Sequence, residues 1–275
     1  MKIHHLIYIA VLLILQACNL PQQVSSPTED KVATVVAQTI TAMPSNTVAP
    51  TLISTVPLPT PTTVLPTETP QPSPTATGLP GDLKITLGIP SGKDNLDNGK
   101  GFGIGAEGYE DEGVRITLDN GTLAMASISS TGWRSWRVRP PDLQDFYIDA
   151  TFIADLCSDN DQYGLVVRTQ GYESGAGYYF GITCDGNYSF TRWDSSGTVS
   201  LAPASAFGKI LTGSGQSNRL GVLARGNSFN LYLNGEEVQE ISDSTFQKGY
   251  FGVFVSGYSG SLKVRLDEIS YWSNP

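Results

Sequence analysis

Apolar and polar residues alternate along much of the chain after about residue 102. In the stretch 113–120, Val114, Ile116 and Leu118 alternate with polar positions. In the stretch 146–156, one face carries Phe146, Ile148, Ala150, Phe152 and Ala154 and the other carries Tyr147, Asp149 and Thr151. A period of two is that of a β-strand with one buried face, so we predict strands with the first set inward and the second outward.

Short turn signals separate these segments. Asn120-Gly121, Asp185-Gly186, Gly226-Asn227 and Asn234-Gly235 each lie between two alternating runs. Asn-Gly and Asp-Gly favour the two positive φ angles of a type I′ turn, so we predict tight hairpins, the central one over Tyr178–Trp193. Further strands are predicted at 122–129, 133–138, 163–169, 198–201, 219–225, 228–233, 237–241, 250–256 and 262–272. No helical stretch interrupts them, so the pattern predicts an all-β, two-sheet antiparallel sandwich or a closed barrel. Pro140-Pro141 is predicted to break the chain after the strand 133–138, and residues 81–103, rich in Gly, Asp and Asn, are predicted to be irregular.

The first 17 residues have the proportions of a signal peptide. Lys2 precedes the apolar run Leu6–Leu15, which is too short to span a bilayer. The next residues, Leu15-Gln16-Ala17-Cys18, resemble a bacterial lipobox. That resemblance implies a lipid thioether on Cys18, which becomes the first residue of the mature chain, whereas an ordinary secretory cleavage near Ala17 is the alternative.

Two segments separate this anchor from the alternating region. Residues 18–43 contain a short amphipathic pattern at 29–43, which we interpret as a transient helix. Residues 44–80 are rich in Pro and Thr, which excludes helix and central strand and predicts a disordered, extended linker. We interpret it as a spacer rather than a proline-rich ligand, and place one β-sandwich domain at 81–275.

The charge and the histidine content exclude several functions. The formal net charge of -9 argues against a nucleic-acid partner and favours a soluble monomer. Both histidines lie in the leader, so the mature chain has no histidine for a catalytic triad or a zinc site. If Cys18 carries lipid, Cys157 and Cys184 remain as a disulfide pair, with free thiols as the alternative.

Residues 102–272 resemble in pattern the concanavalin A-like lectin/glucanase family, close to its laminin-G-like and 3-keto-disaccharide hydrolase branches, and the resemblance is specific after about residue 178. The residues that carry the likeness are 218–236 with Asn234-Gly235-Glu236, Lys248–Val255 and Val264–Ile269. The resemblance implies a jelly roll of two stacked antiparallel sheets, with sugars bound on a concave sheet. It implies no individual ligand residue.

Carboxylates offer no catalytic pair. Glycosidases need two carboxyl groups facing one substrate, and those of this family carry a Glu-x-Asp-x-x-Glu run, which we do not find. The candidates Glu107, Glu110, Asp111, Glu112, Glu236, Glu237, Asp267 and Glu268 lie in loops, turns or the last strand. We therefore expect a protein that is not an enzyme. Asp155, Asp159 and Asp161 form an oxygen-rich loop, a candidate site for a structural Ca²⁺, or simply an acidic surface turn.

Aromatic faces with planar polar neighbours are the sequence's best candidates for sugar contacts. The candidate residues are Trp133, Trp136, Tyr179, Arg192, Trp193, Asn230 and Tyr232. Tyr179 and Tyr232 are out of phase with the neighbouring core positions, so both are expected to face away from the core. Each aromatic residue has packing in the core as its alternative role.

These expectations combine into one hypothesis. A lipid on Cys18 would hold the chain at the membrane, outside the cytoplasm, and the linker would display a non-catalytic domain that binds polysaccharide or a cell-surface glycan. A surface adhesion or structural role through protein contacts is the alternative, and a glycoside-acting hydrolase is the third.

Overall fold

The alternating segments fold into antiparallel β-sheets throughout residues 81–275, the part of the chain that the computed structural model describes. The strands are β1 (Gly92–Asp94), β2 (Tyr109–Glu110), β3 (Val114–Asp119), β4 (Thr122–Ser127), β5 (Arg134–Leu143), β6 (Phe146–Leu156), β7 (Gln162–Thr169), β8 (Gly177–Thr183), β9 (Asn187–Asp194), β10 (Gly197–Ala206), β11 (Gln216–Arg225), β12 (Ser228–Leu233), β13 (Glu236–Ser242), β14 (Gly249–Ser256) and β15 (Lys263–Ser273). A short helix, α1 (Leu83–Leu87), and a 3₁₀ turn, Lys100–Phe102, precede β2.

The strands form two sheets. The larger has the order β13-β12-β11-β6-β15-β4-β3-β2, with β1 added beside β15, and the smaller has the order β10-β9-β8-β7-β14-β5. Every pairing is antiparallel. The predicted all-β jelly-roll sandwich of two antiparallel sheets is therefore confirmed.

The core lies between the two sheets. The inward face of β6, including Phe146 and Phe152, packs in one cluster with Tyr178, Phe180 and other inward residues of the smaller sheet. Each fully buried side chain of this size contributes roughly 1.5–3 kcal/mol through the area it removes from water. The inward set predicted for β6 is thus confirmed.

The hairpin turns follow the sequence signals with one exception. Asn120 (φ 50°) and Gly121 (φ 76°), like Asn234 (φ 51°) and Gly235 (φ 89°), have the two positive φ angles expected of type I′ turns. At Asp185-Gly186, however, Gly186 (φ 92°) has a positive φ and Asp185 does not.

The central hairpin is therefore confirmed, but its predicted turn type is wrong. The Gly186 N–H donates to the Thr183 carbonyl (3.0 Å), and the Asn187 N–H donates to the Thr183 hydroxyl (3.1 Å). The loop thus contains three residues, a tight turn followed by a glycine with positive φ.

Cys157 and Cys184 form a disulfide, with their Cα atoms 5.5 Å apart. Strict alternation along β6 would place Cys157 on the face opposite Phe152, but the register between β6 and β15 shifts between Ala154 and Leu156. This β-bulge turns Cys157 toward the core, where it packs with Cys184. The bond joins the end of β6 in the larger sheet to the β8–β9 turn in the smaller sheet.

The prolines of β5 do not end the strand. The sequence predicts a break at Pro140-Pro141, whereas β5 continues to Leu143. Because β5 is the last strand of its sheet and pairs with β14 alone, the missing N–H groups can face away from the ladder.

Residues 81–103, predicted as irregular, carry elements that cover the larger sheet. Leu83 and Leu87 of α1 pack on an aromatic cluster of that sheet's outer face, formed by Tyr147, Leu223, Tyr232 and Trp272. The Trp272 indole N–H also donates to the Gly88 carbonyl (3.1 Å). Tyr147 and Asp149, predicted to face solvent, point outward but are buried beneath this segment.

Asp149 is the centre of an ion-pair network under α1. Its Oδ1 accepts a hydrogen bond from Lys84 (3.1 Å), and its Oδ2 accepts one from the Tyr147 hydroxyl (2.9 Å) and lies 3.2 Å from Arg219 Nε. Arg219 also pairs with Asp82. Burial raises the pKa of Asp149, and the charges of Lys84 and Arg219 oppose that rise.

Candidate binding cleft beside β5

The aromatic and polar residues nominated from the sequence are divided between the two sheets of the sandwich. Trp133, Trp136, Tyr179, Arg192 and Trp193 belong to the smaller sheet or to the loop that leads into it. Asn230 and Tyr232 belong to β12 of the larger sheet, whose outer face is turned the opposite way. The structure therefore does not bring the seven residues into one site.

Asn230 and Tyr232 contribute to the covered face. The Asn230 amide donates to Glu237 Oε1 (2.7 Å), and the Tyr232 hydroxyl donates to Glu237 Oε2 (3.2 Å). The Tyr232 ring faces away from the core as predicted, but it packs edge-on against Tyr147 beneath α1.

Arg192 and Trp193 lie on β9, away from the other candidates. Arg192 donates to Asp194 (2.7 Å) and Asp243 (2.6 Å), which hold its guanidinium in an ion-pair network. The Trp193 side chain is 39% exposed, and its backbone pairs with Gly177 and Thr198. Trp193 lines neither of the two clefts described below.

The outer face of the smaller sheet carries an apolar cluster of its own. Val138, Val166, Tyr179 and Phe254 are buried there, although each is turned away from the main core. The Arg134 guanidinium carbon lies 4.3 Å from the centre of the Tyr179 ring, within the range of a cation–π contact. Burial lowers the pKa of Arg134.

The loop 170–176, between β7 and β8, folds over this cluster and fixes two aromatic rings. The Trp136 indole N–H donates to the Tyr172 carbonyl (3.1 Å), and the Tyr179 hydroxyl donates to the Gly175 carbonyl (2.6 Å). Tyr172 stacks on Tyr250 with ring centres 4.6 Å apart, yet its side chain stays 53% exposed. The loop therefore presents Tyr172 to solvent in a fixed orientation.

Gly175 is required for this arrangement. Its φ is +61°, and a Cβ at this position would lie 2.6 Å from Trp136 Cζ2. A glycine alone satisfies both the backbone conformation and the close approach of the indole.

Trp136 and Tyr172 line a cleft of about 430 Å³ along the edge strand β5. We call it the basic cleft. Its walls are the 3₁₀ turn on one side and the loop 170–176 on the other. The lining residues are Lys100, Gly101, Phe102, Gly103, Trp136, Arg137, Val138, Arg139, Pro140 and Tyr172. The volume is within the range of small-molecule sites.

Three cations line the basic cleft, and none of its described lining residues is acidic. The Arg137 guanidinium lies over the Tyr109 ring, 3.6 Å from its centre. Arg139 Nη1 donates to Asp94 Oδ2 (2.5 Å) at the back of the cleft. Lys100 is exposed at its rim.

A second cleft, of about 440 Å³, lies beyond Trp133, whose side chain is 62% exposed. Asp111, Glu112 and the hydroxyl groups of Ser129 and Thr131 also line it. Asp111 accepts hydrogen bonds from the N–H groups of Gly113 (2.8 Å) and Val114 (2.9 Å) and from the Tyr109 hydroxyl (2.8 Å). Partial burial opposes the shift, but these bonds and the charge of Arg137 hold the pKa of Asp111 below its usual range.

The nominated acidic residues are mostly engaged elsewhere. Glu110 pairs with Arg115, Glu236 with Lys209, and Glu268 with Lys84 and Lys93. The pKa values of Glu110 and Glu268 are lowered, for Glu110 mainly by its hydrogen bond with Arg115.

The candidate calcium residues do not form one ligand group. Asp155 pairs with Arg265 (2.8 Å), and Asp161 accepts hydrogen bonds from the N–H groups of Tyr258 (2.7 Å) and Ser259 (2.9 Å). Asp159 is exposed on the turn between them. Within residues 81–275, no group of three or more His, Cys, Asp or Glu side chains could hold a metal ion, so the clustering expected from sequence spacing is wrong.

The leader, the lipidation site Cys18, the amphipathic segment and the Pro/Thr-rich linker lie outside the described residues. In the described part of the chain, no helix has both the length and the apolar character needed to cross a membrane.

Several solved structures resemble the fold. The carbohydrate-binding module CBM66 from Bacillus subtilis is 18% identical over 55% of this chain and 86% of its own, with a TM-score of 0.46. A protein of unknown function with a galectin-like fold from Bacillus subtilis is 10% identical over 68% and 96%, with a TM-score of 0.48. The GH43 protein BlXynB from Bacillus licheniformis is 12% identical over 66% of this chain and 39% of its own, with a TM-score of 0.46.

At these identities the similarity concerns the sandwich itself, and no ligand or activity is transferred from it. No protein-family model matches the chain, and no curated protein matches it.

Proposed function

We propose that this protein binds saccharides without cleaving them, and that the basic cleft is the binding site. One observation carries the proposal: two aromatic side chains, Trp136 and Tyr172, are held in place by the loop 170–176 beside three cationic donors. Sugar rings have apolar C–H faces, which can stack on the two aromatic side chains, and hydroxyl groups around the ring, which can accept hydrogen bonds from the cationic donors.

The aromatic part of the site is preorganised. Trp136 is fixed by its indole hydrogen bond, and one face of Tyr172 is occupied by Tyr250. Neither ring has to be ordered when a ligand arrives, so little of the interaction energy is lost to side-chain entropy.

The polar part consists of guanidinium groups in a defined orientation. Tyr109 supports the plane of Arg137, and Asp94 holds one nitrogen of Arg139. A guanidinium presents several N–H donors in one plane, which suits neighbouring hydroxyl oxygens of a sugar.

The carboxyl groups near the two clefts support a binding role rather than catalysis. A glycosidase acid needs a raised pKa, and the pKa of Asp111 in the second cleft is lowered instead. The pKa of the buried carboxyl Asp149 is raised, but this residue lies under α1 on the opposite face, in contact with Lys84 and Arg219.

We place this activity outside the cytoplasm, on a chain tethered through lipid at Cys18. The Cys157–Cys184 disulfide supports an oxidising compartment. The lipobox-like residues 15–18 and the Pro/Thr-rich segment 44–80 support an anchored domain on a long spacer.

Binding of soluble polysaccharides to the full-length chain in detergent, followed by tryptophan fluorescence, tests the proposal. Tyr172→Ala should weaken binding of any saccharide ligand about tenfold, because it removes one stacking face. Tyr258→Ala is the matched control, since Tyr258 is 54% exposed and does not line the basic cleft.

An absence of binding to every member of a panel of neutral and acidic polysaccharides would refute the proposed function. Equal losses in the two tyrosine variants would place the binding site elsewhere.

A further inference from the structure

We propose that the basic cleft selects acidic saccharides, in which a carboxylate or a sulfate ester is carried on the sugar ring. This inference rests on the proposed function and adds the chemical class of the ligand.

The first argument is the local charge. The chain has a formal net charge of -9, yet Lys100, Arg137 and Arg139 meet in one cleft with no acidic residue in its described lining. Asp94 neutralises Arg139 from behind. Lys100 and Arg137 form no ion pair within 4.0 Å among residues 81–275, although the charge of Arg137 acts on Asp111 beyond the Tyr109 ring. Asp111 does not line the cleft, so the lining itself is positive on a negative protein.

The second argument is hydrogen bonding. The Nε atoms of Arg137 and Arg139 are shielded from solvent, and neither has a hydrogen-bond acceptor among the described residues. Shielded charged donors without acceptors cost free energy. An anion that binds the remaining N–H groups of the two guanidinium groups would offset part of this cost, and carboxylate and sulfate oxygens match the planar fork of arginine.

The third argument is the neighbouring aromatic surface. Trp136 and Tyr172 share the cleft with the cations, so its ligand has an apolar face as well as a negative charge. An acidic sugar has both on one ring, whereas a free inorganic anion offers nothing to the two aromatic side chains.

Two matched pairs of probes test this with the full-length chain in detergent. Polygalacturonate is compared with its fully methyl-esterified form, and dextran sulfate is compared with dextran. We expect at least one charged polymer to bind tenfold or more tightly than its uncharged partner, and this binding to weaken as salt is raised. The pair that discriminates identifies carboxylate or sulfate as the anionic group.

Neutral and charged forms that bind equally would overturn the inference and leave the proposed function standing, as would binding of neutral polysaccharides alone. An absence of binding to all these polymers and to a panel of other polysaccharides would overturn both.

Replacing single cations by uncharged residues tests whether the basic cleft causes the preference for acidic polymers. Arg137→Gln should weaken binding of the acidic polymer about tenfold, and Lys100→Gln several-fold. Lys100 is exposed, so its replacement leaves the fold intact. Arg225→Gln is the control, because Arg225 is exposed on β11 of the other sheet.

An equal loss in Arg225→Gln would show general electrostatic attraction and contradict selection by the cleft. Unchanged binding in both Lys100→Gln and Arg137→Gln would contradict it as well.

Discussion

The outer face of the larger sheet and the edge strand β5 of the smaller sheet differ in how their charges are paired. On the larger sheet, Lys84 and Arg219 meet Asp82, Asp149 and Glu268 in a paired network beneath a short helix. On the smaller sheet, Arg134 lies on the outer face of the edge strand β5 and Arg137 on its other face. Neither has a carboxylate within 4.0 Å among residues 81–275, and Arg139 alone of the three arginines of β5 is paired. The helix α1 covers the first region, which we call the closed face. The second region, along β5, lines the basic cleft, and we call it the open face.

The difference indicates separate roles. A buried charge that is fully paired holds neighbouring segments in one arrangement, and removing one partner is costly. Arg134 and Arg137 lie over the rings of Tyr179 and Tyr109 but form no ion pair within 4.0 Å among residues 81–275. Under the proposed function, a ligand supplies negative charge to the basic cleft. The comparison therefore predicts that substitutions on the closed face change stability and that substitutions on the open face change ligand binding.

The largest expected effect comes from Arg219→Met. It leaves Asp149, which is 1% exposed, with Lys84 as its remaining cationic partner, so we expect a loss of about 3 kcal/mol in the free energy of unfolding. Guanidinium unfolding curves measure this loss, and saccharide binding should be unchanged.

Arg137→Met is the matched variant on the open face. It should change stability by less than about 1 kcal/mol, because no ion pair is broken, while it weakens binding. If the two variants destabilise the fold equally, the proposed division of roles is wrong.

Removal of the disulfide should have the next largest effect. The Cys157→Ser, Cys184→Ser double variant opens a link between residues 27 positions apart and should lose roughly 3 kcal/mol. The bond joins the two sheets away from the basic cleft, so binding by the folded variant should persist. Loss of binding at temperatures well below the unfolding midpoint would connect the bond to the site and contradict this separation.

The next largest effect is a loss of stability at alkaline pH, which comes from Tyr232 on the closed face. Burial, reinforced by Glu237, raises the pKa of Tyr232 to about 12. A group whose pKa is raised on folding keeps its full contribution below its ordinary value near 10 and loses it as the pH rises toward 12. Unfolding curves between pH 9 and 12 should therefore show falling stability.

The decline should be shallower in Tyr232→Phe, and absorbance at 295 nm would report the ionisation directly. An identical pH dependence in the wild type and in Tyr232→Phe would show that Tyr232 does not contribute. Tyr178, whose pKa burial also raises to about 12, would then remain as a source of the decline.

The smallest expected effect is that of Gly175→Ala. The added methyl group would displace Trp136 and strain a backbone of positive φ, so we expect affinity to fall about fivefold. Gly171→Ala in the same loop is the control, because its φ is not positive and its nearest contact to an added Cβ is at 3.7 Å. Titration calorimetry measures both, and an equal effect would show that loop order, rather than the position of the indole, is responsible.

Strand alternation and turn residues were sufficient to predict the sandwich. The alternation of Phe146 to Ala154 is that of the core face of β6, and Asn234-Gly235 has the two positive φ angles that its residue types favour. These signals are local, so a single sequence contains them.

The covered outer face could not be predicted in this way. Tyr147 alternates as an outward residue and is outward, but α1, 60 residues earlier in the chain, buries it. The break predicted at Pro140-Pro141 also depended on tertiary context, because prolines are tolerated on an edge strand and β5 is one.

One part of the basic cleft has a local signal in the sequence. Arg134, Arg137 and Arg139 fall within six positions around Trp136, on an otherwise acidic chain. The convergence of Arg137 and Arg139 with Lys100 and Tyr172 depends on the packing of the 3₁₀ turn and the loop 170–176 on β5, which no local pattern contains.

The four tryptophan indoles provide the most direct test of the binding site. Trp136 lines the basic cleft, Trp133 lines the second cleft, Trp193 lies on β9, and Trp272 lies beneath α1. In ¹H–¹⁵N spectra, assigned by single Trp→Phe variants, titration with the bound saccharide should shift the Trp136 indole signal most and leave the Trp272 signal unchanged. A titration that shifts the Trp193 or Trp272 signal while Trp136 stays fixed would contradict the account.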